Sequence, residues 1–239
     1  MTDTRLAAPA EAGGEGVFGF LRETLASLRS ARLLLPVLLL LVLLTVSNIV
    51  ILQNAPAPGA RPGLMFALAA LVRVLGLYVL AVAILRVLTG STRRAFMPDG
   101  GFWLYGVTMI AGFALSAALG FALGDRTDPV VGAIIGVAMI LVAAPFAAWF
   151  TAIAVARPLA ANPAPWMRSM GRWLVPLLLW SLVIVLPLGQ LHAAIDISLI
   201  RGAGDDFWLL ALVDGPLSVV LAVFGLALAA TAYRRVARG

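Results

Sequence analysis

Leu33-Leu-Leu-Pro-Val-Leu-Leu-Leu-Leu-Val-Leu-Leu-Thr-Val-Ser-Asn-Ile-Val-Ile-Leu52 contains no charged side chain. A bilayer's hydrocarbon core is about 30 Å thick, and a helix rising about 1.5 Å per residue crosses it in roughly 20 apolar residues. This stretch therefore reads as a membrane span, and a helix is the only single segment that satisfies its own backbone in lipid. The rest of the chain repeats the signal. Of 239 residues, 62% are hydrophobic and 12% charged, too apolar for a soluble domain that must cover itself with polar groups. The length has room for about six spans with short connections. The sequence predicts an all-α polytopic membrane bundle, with a six-helix transmembrane domain over 33–233 and spans at 33–52, 64–88, 102–123, 129–156, 173–191 and 207–233.

Residues 1–14 are Ala/Gly/Glu-rich without apolar period and are expected to be a disordered tail. Across 15–32, Phe18, Leu21, Leu25 and Leu28 recur at helical spacing while Arg22, Glu23, Arg29 and Arg32 take other faces. That pattern predicts an interfacial amphipathic helix lying along the headgroups. A cleaved signal peptide is the rival reading, since Ala55-Pro56-Ala57 loosely resembles a cleavage site, but more than thirty residues precede the apolar run. Asp128-Pro129 reads as the cap and first residue of the fourth span. Pro176 and Pro187 predict bends in the fifth, and His192 to Asp206 is expected to leave the apolar core. Residues 234–239 form a basic tail.

The formal net charge of +6 is carried by 17 arginines without a lysine. They cluster at helix ends, which points to lipid headgroups and not to nucleic acid. Counting arginines by side places the N-terminal segment, the second and fourth connections and the C-terminus together, so the positive-inside rule predicts both termini in the cytoplasm. Arginine and alanine usage point to a GC-rich bacterial genome, hence a bacterial inner (cytoplasmic) membrane. The absence of cysteine excludes disulfides, thiolate metal sites and a cysteine nucleophile.

Three constellations stand out. Thr108, Gly112, Ser116, Gly120 and Gly124 recur every four residues, and Gly132 and Gly136 face them from the next span, predicting a tight hairpin of small residues. Arg73 and Asp214 are charges inside spans at similar depth, which predicts a pair, because a lone charge there costs about 2.5–3.5 kcal/mol. His192 and Asp196 at i, i+4, with Asp205 and Asp206 nearby, are weaker polar-site candidates that fall short of a metal ligand set. No cofactor motif, phosphate loop, Gly-x-Ser-x-Gly, His-Glu-x-x-His or paired deep carboxylates occur, so catalytic, cofactor-binding and metal residues are all expected to be absent.

The amphipathic segment ending Arg29-Ser-Ala-Arg32, the Trp166 to Arg172 stretch before the fifth span, and Ala229-Ala-Thr-Ala-Tyr-Arg-Arg235 give the chain a further likeness. It resembles the bacterial six-helix inner-membrane proteins of the YciC-like group and the membrane domain attached to some glycerophosphodiester phosphodiesterases. The expected function is a non-enzymatic scaffold or accessory subunit that binds membrane lipids, another membrane protein or a second copy of itself. A small transporter or permease component is the alternative, and a lipid-modifying enzyme the third reading.

Overall fold

The computed structural model describes residues 16–56, 61, 63–123, 129–156, 160–200 and 204–238. The expected tail at 1–14, Gly124 and the Asp128 cap lie outside these, and the side chains of Ser116, Gly120 and Asp205 are likewise not described. The described residues are all helical apart from turns: α1 Val17–Ser27, α2 Leu34–Gln53, α3 Leu64–Leu88, α4 Gly100–Leu123, α5 Pro129–Ala143, α6 Ala147–Val155, α7 Ala164–Ser169, α8 Gly171–Trp180, α9 Leu186–Ile200 and α10 Phe207–Arg238. Five stretches are long and apolar enough to cross a membrane: Ala31–Gln53, Leu64–Leu88, Val130–Val155, Gly171–Leu199 and Phe207–Arg238, and Gly100–Leu115 adds a shorter apolar helix. Aliphatic side chains such as Leu35, Val42, Leu71, Ile110 and Leu209 are exposed around the bundle, the arrangement of a surface solvated by lipid.

Prolines mark the irregular turns. Pro145 lies in a single 3₁₀ turn, Ala144–Phe146, that joins α5 to α6 within the one apolar stretch Val130–Val155, in agreement with the span read over 129–156. Before Pro187, Ser181–Val185 widens into one π-helical turn, which accommodates a proline that lacks an N–H and crowds the preceding turn. The helix then continues through α9 to Ile200, so His192 and Asp196 sit on a helix and not in a polar connection beyond the core. α10 likewise runs on to Arg238, making the expected basic tail helical.

α10 is the central element, packing on α1, α2, α3, α6, α8 and α9. A Cβ at Gly215 would overlap Thr45 Oγ1, so the absence of a side chain sets how closely α10 approaches α2. Of the predicted small-residue hairpin, only Thr108, Gly112, Gly132 and Gly136 lie among the residues whose side chains are described. Gly112 faces open space, Gly136 lies against Leu186 of α9, and Gly132 lines a cavity, while α4 packs more extensively on α6 than on α5. Thr108 turns its hydroxyl back onto the Tyr105 carbonyl at 2.7 Å. The close contact of α4 is instead at Gly101, where a Cβ would overlap the Ile153 carbonyl oxygen.

Two carboxylates tie the arginine-rich end together. Asp99 caps α4 by accepting the Phe102 N–H at 3.0 Å, and it pairs with Arg86 at 2.8 Å and with Arg93. Arg86 is 2% exposed and also donates to the carbonyls of Ala154 at 3.0 Å, Arg94 at 3.0 Å and Met97 at 2.6 Å. Burial raises the Asp99 pKa, but the Phe102 N–H and the two guanidiniums outweigh it and hold the carboxyl below its ordinary value. On α1, Glu23 accepts from Arg234 at 3.1 Å and Arg235 at 2.5 Å, and Thr24 bonds Thr231 at 3.1 Å. The helix expected to float along the headgroups is therefore docked on α8 and α10. Phe20 and Thr24 form its buried face, while Phe18 and Leu25 of the predicted apolar stripe remain exposed. The reason is polar: the Thr24 hydroxyl is satisfied by the Phe20 carbonyl and Thr231, so a threonine can occupy the core side.

Candidate functional site

Four helices bring polar side chains to one level. Arg73 lies about 13 Å along α3 from Leu64, Asp214 about 10 Å along α10 from Phe207, His192 about 12 Å from the end of α9, and Asn48 about 8 Å from the end of α2. The close α10–α2 approach at Gly215 and Thr45 puts Asp214 beside Asn48. Arg73 Nη1 donates to Asn48 Oδ1 at 2.9 Å, and Asn48 Nδ2 donates to Asp214 Oδ2 at 2.8 Å. The two charges predicted to pair directly are thus linked through an amide; among the described residues no Arg73–Asp214 bridge forms. Asp214 is wholly buried and Asn48 is 3% exposed.

His192 Nδ1 lies 2.6 Å from Asp214 Oδ1, and since the carboxylate can only accept, Nδ1 carries the hydrogen. Ser218, one turn along α10, donates to Asp214 Oδ2 at 3.4 Å. The carboxylate thus accepts from Asn48, His192 and Ser218, which satisfies both oxygens in a place where an unmet charge would be costly. On the other side of the ring, Nε2 is 3.6 Å from Asp196 Oδ2, close enough for attraction but too far for a hydrogen bond. The buried Asp196 Oδ1 has no partner. Asp206 is exposed at the start of α10 and takes no part in the cluster.

Chemically, the cluster contains the residue types of two familiar sites but fits neither as it stands. Ser218, His192 and Asp214 are the members of a nucleophilic triad. In such a triad the serine and the aspartate engage opposite ring nitrogens, whereas Ser218 Oγ is 3.2 Å from the same Nδ1 that serves Asp214. His192 cannot take a proton from Ser218 and pass charge to Asp214 in that arrangement. Ligand atoms of His192, Asp196 and Asp214 lie within 4.8 Å of one another, suitable in type for a divalent cation. Asp214, however, is committed to three donors, and Arg73 adds a positive charge nearby. What is left for an incoming ligand is His192 Nε2 and the unpartnered Asp196 oxygen.

His192 also borders a cavity of about 630 Å³ between the helices, open on one side. Leu40, Leu77, Tyr105, Ile135, Leu186 and Leu226 bring α2, α3, α4, α5, α9 and α10 to its wall, and Tyr105, Gln190 and His192 are the polar side chains there. Ligand cavities typically measure roughly 300–1,000 Å³ and combine an apolar wall with a few placed polar groups.

Neither Asn48 nor Ser218 was marked by the sequence, although a lone asparagine near the end of a leucine-rich span is the kind of signal that could have raised the first. Fold and site together define a bundle of long apolar helices with a buried polar cluster, one member of which, His192, borders a mostly apolar cavity. No known protein family, curated protein or solved structure matches the chain.

Proposed function

We propose that the protein binds the apolar chain of a membrane amphiphile in this cavity, with the polar end of the ligand near His192 and Gln190, and that it works as a non-enzymatic membrane scaffold or accessory subunit. The observation that carries the reading is the cavity's character: about 630 Å³, walled by six helices, mostly apolar, with Gln190 and His192 among its few polar side chains. The alternative of a small transporter needs a wet route past the intramembrane charges. Asp214, fully buried and bonded on both oxygens, supports binding over transport. The offset from triad geometry supports a role without catalysis. We further place the chain in a bacterial inner membrane as six spans with both termini cytoplasmic, in keeping with its arginine distribution and its resemblance to six-helix inner-membrane proteins.

The test is native mass spectrometry of the purified protein. Gly189 and Gly225 line the cavity, and a Cβ at either meets nothing within 4 Å, so Gly189→Leu and Gly225→Leu fill the space without a clash at the backbone. Wild type should retain a bound lipid or other amphiphile that both variants lose while keeping their thermal stability. Equal retention by all three would dispose of the reading. Reporter fusions after Gly239 and near Ser91 should be cytoplasmic and those at Gly59 and Gly202 exported.

A further inference from the structure

The arginine-rich end holds a second feature, distant from the cavity. α7 and α8 meet at Met170, and Arg168 and Ser169 on one side of that junction face the same pocket as Gly171, Arg172 and Trp173 on the other; Arg235 of α10 completes it. The pocket measures about 350 Å³ and its wall includes no carboxylate. The neighbouring arginines contrast with it. Arg86 and Arg93 share Asp99, and Arg234 pairs with Glu23, whereas Arg168 and Arg172 have no acidic partner among the described residues. Arg235 does bind Glu23, but through Nε, and reaches the Gly19 carbonyl through Nη2, which leaves Nη1 free.

Trp173 holds the cations in place. The guanidinium carbon of Arg172 lies 4.7 Å from the centroid of its ring and that of Arg235 4.9 Å from it. Each contact is attractive, because the ring face carries negative charge, and together they hold two positive groups at one ring. Trp173 itself is buried, so the platform is fixed by the core and not by solvent. Three guanidiniums and a hydroxyl lining one pocket supply the N–H and O–H donors that the oxygens of a phosphate accept. Tryptophan at the end of an apolar helix marks headgroup depth, and basic pockets between membrane helices at that level suit anionic lipid headgroups.

We propose that Arg168, Ser169, Arg172 and Arg235 form a binding site for a phosphate group at the membrane surface, of the kind carried by an anionic phospholipid. It is independent of the cavity described above, so Gly189→Leu should leave it intact. The test uses the full chain in nanodiscs and detergent, as wild type, as Arg168→Gln/Arg172→Gln, and as Arg22→Gln/Arg29→Gln, a control that removes the same charge from exposed positions outside the pocket. Retained phosphatidylglycerol is counted by native mass spectrometry against phosphatidylcholine. Wild type and control should hold phosphatidylglycerol, and the pocket variant should hold it at least about tenfold more weakly, as expected when charge-assisted bonds are lost. If millimolar inorganic phosphate displaces the lipid or stabilises wild type but not the pocket variant, the phosphate itself is the recognised group; if only the lipid is retained, the glycerol and chains contribute. Equal retention by wild type and pocket variant, or equal loss in the control, with no response to phosphate, overturns the proposal.

Discussion

Asn48 joins Arg73 to Asp214, accepting from the guanidinium at 2.9 Å and donating to the carboxylate at 2.8 Å. An amide presents an acceptor to the cation and a donor to the anion at once, from two separate atoms. Replacing it with leucine preserves bulk but takes away the guanidinium's acceptor and one of the three donors to Asp214, a loss of about 1–3 kcal/mol. Asn48→Leu should therefore melt well below wild type in detergent. The coupling between Arg73→Ala and Asp214→Ala in a double-mutant cycle should vanish when the cycle is repeated in Asn48→Ala. Coupling of unchanged size there would mean that the two charges interact directly.

Glycine separates two predictions that the sequence alone could not. Gly215→Ala places a methyl group on Thr45 Oγ1 and should destabilise by about 1–3 kcal/mol, the usual cost of overpacking, with partial recovery in the Thr45→Ala background. Gly112→Ala meets nothing within 4 Å and should be neutral or stabilising by roughly 0.5–1 kcal/mol from helix propensity. Thermal shifts of the same sign and size at the two positions would contradict the packing described.

The contrast shows what was readable in advance. Lipid as solvent forces long apolar runs, so the spans could be read from hydropathy, and the bend before Pro187 from the chemistry of proline. Pro145 escaped notice because its apolar neighbours hide the turn. Arg73 and Asp214 were legible because a charge within a span is expensive. Asn48 and Ser218 were not, because neutral polar residues are tolerated in spans and their partners depend on how each helix is rotated. His192 and Asp196 looked too polar for the core; with Asp214 receiving the His192 N–H, α9 extends past them. The small stripe on α4 was legible as a pattern, but its partner was not, since spacing identifies a face and not what the face meets.

Arg86 offers a test of side-chain geometry. Its planar fork reaches Asp99 and carbonyls on α6 and on the α3–α4 connection from a position 2% exposed. Lysine keeps the charge but has one nitrogen, and cannot span those acceptors. Arg86→Lys should lose a large part of the stability lost by Arg86→Ala, read as thermal midpoints of the two variants against wild type. A lysine variant as stable as wild type would show that charge alone is required there.

Glu23 gives the arginine-rich end a dependence on pH whose sign can be worked out. Burial raises the pKa of this carboxyl, but its hydrogen bonds and attraction to Arg235 and Arg234 prevail and hold it below the ordinary 4.5. A group with a depressed folded pKa stabilises fully above its unfolded value, and that stabilisation is lost as pH falls through the folded value. The docking of α1 on α10 should therefore be constant from neutral pH down to about 5 and weaken below about 4.5. Glu23→Gln removes the charge at every pH. Its thermal midpoint should lie below wild type at pH 7, by the equivalent of about 1–2 kcal/mol for a partly solvated cluster, and the two curves should converge towards pH 3. Asp99 titrates in both proteins, so the difference between the curves isolates Glu23. A gap that stays constant from pH 7 to pH 3 would show that the charge of Glu23 is not what holds α1 in place.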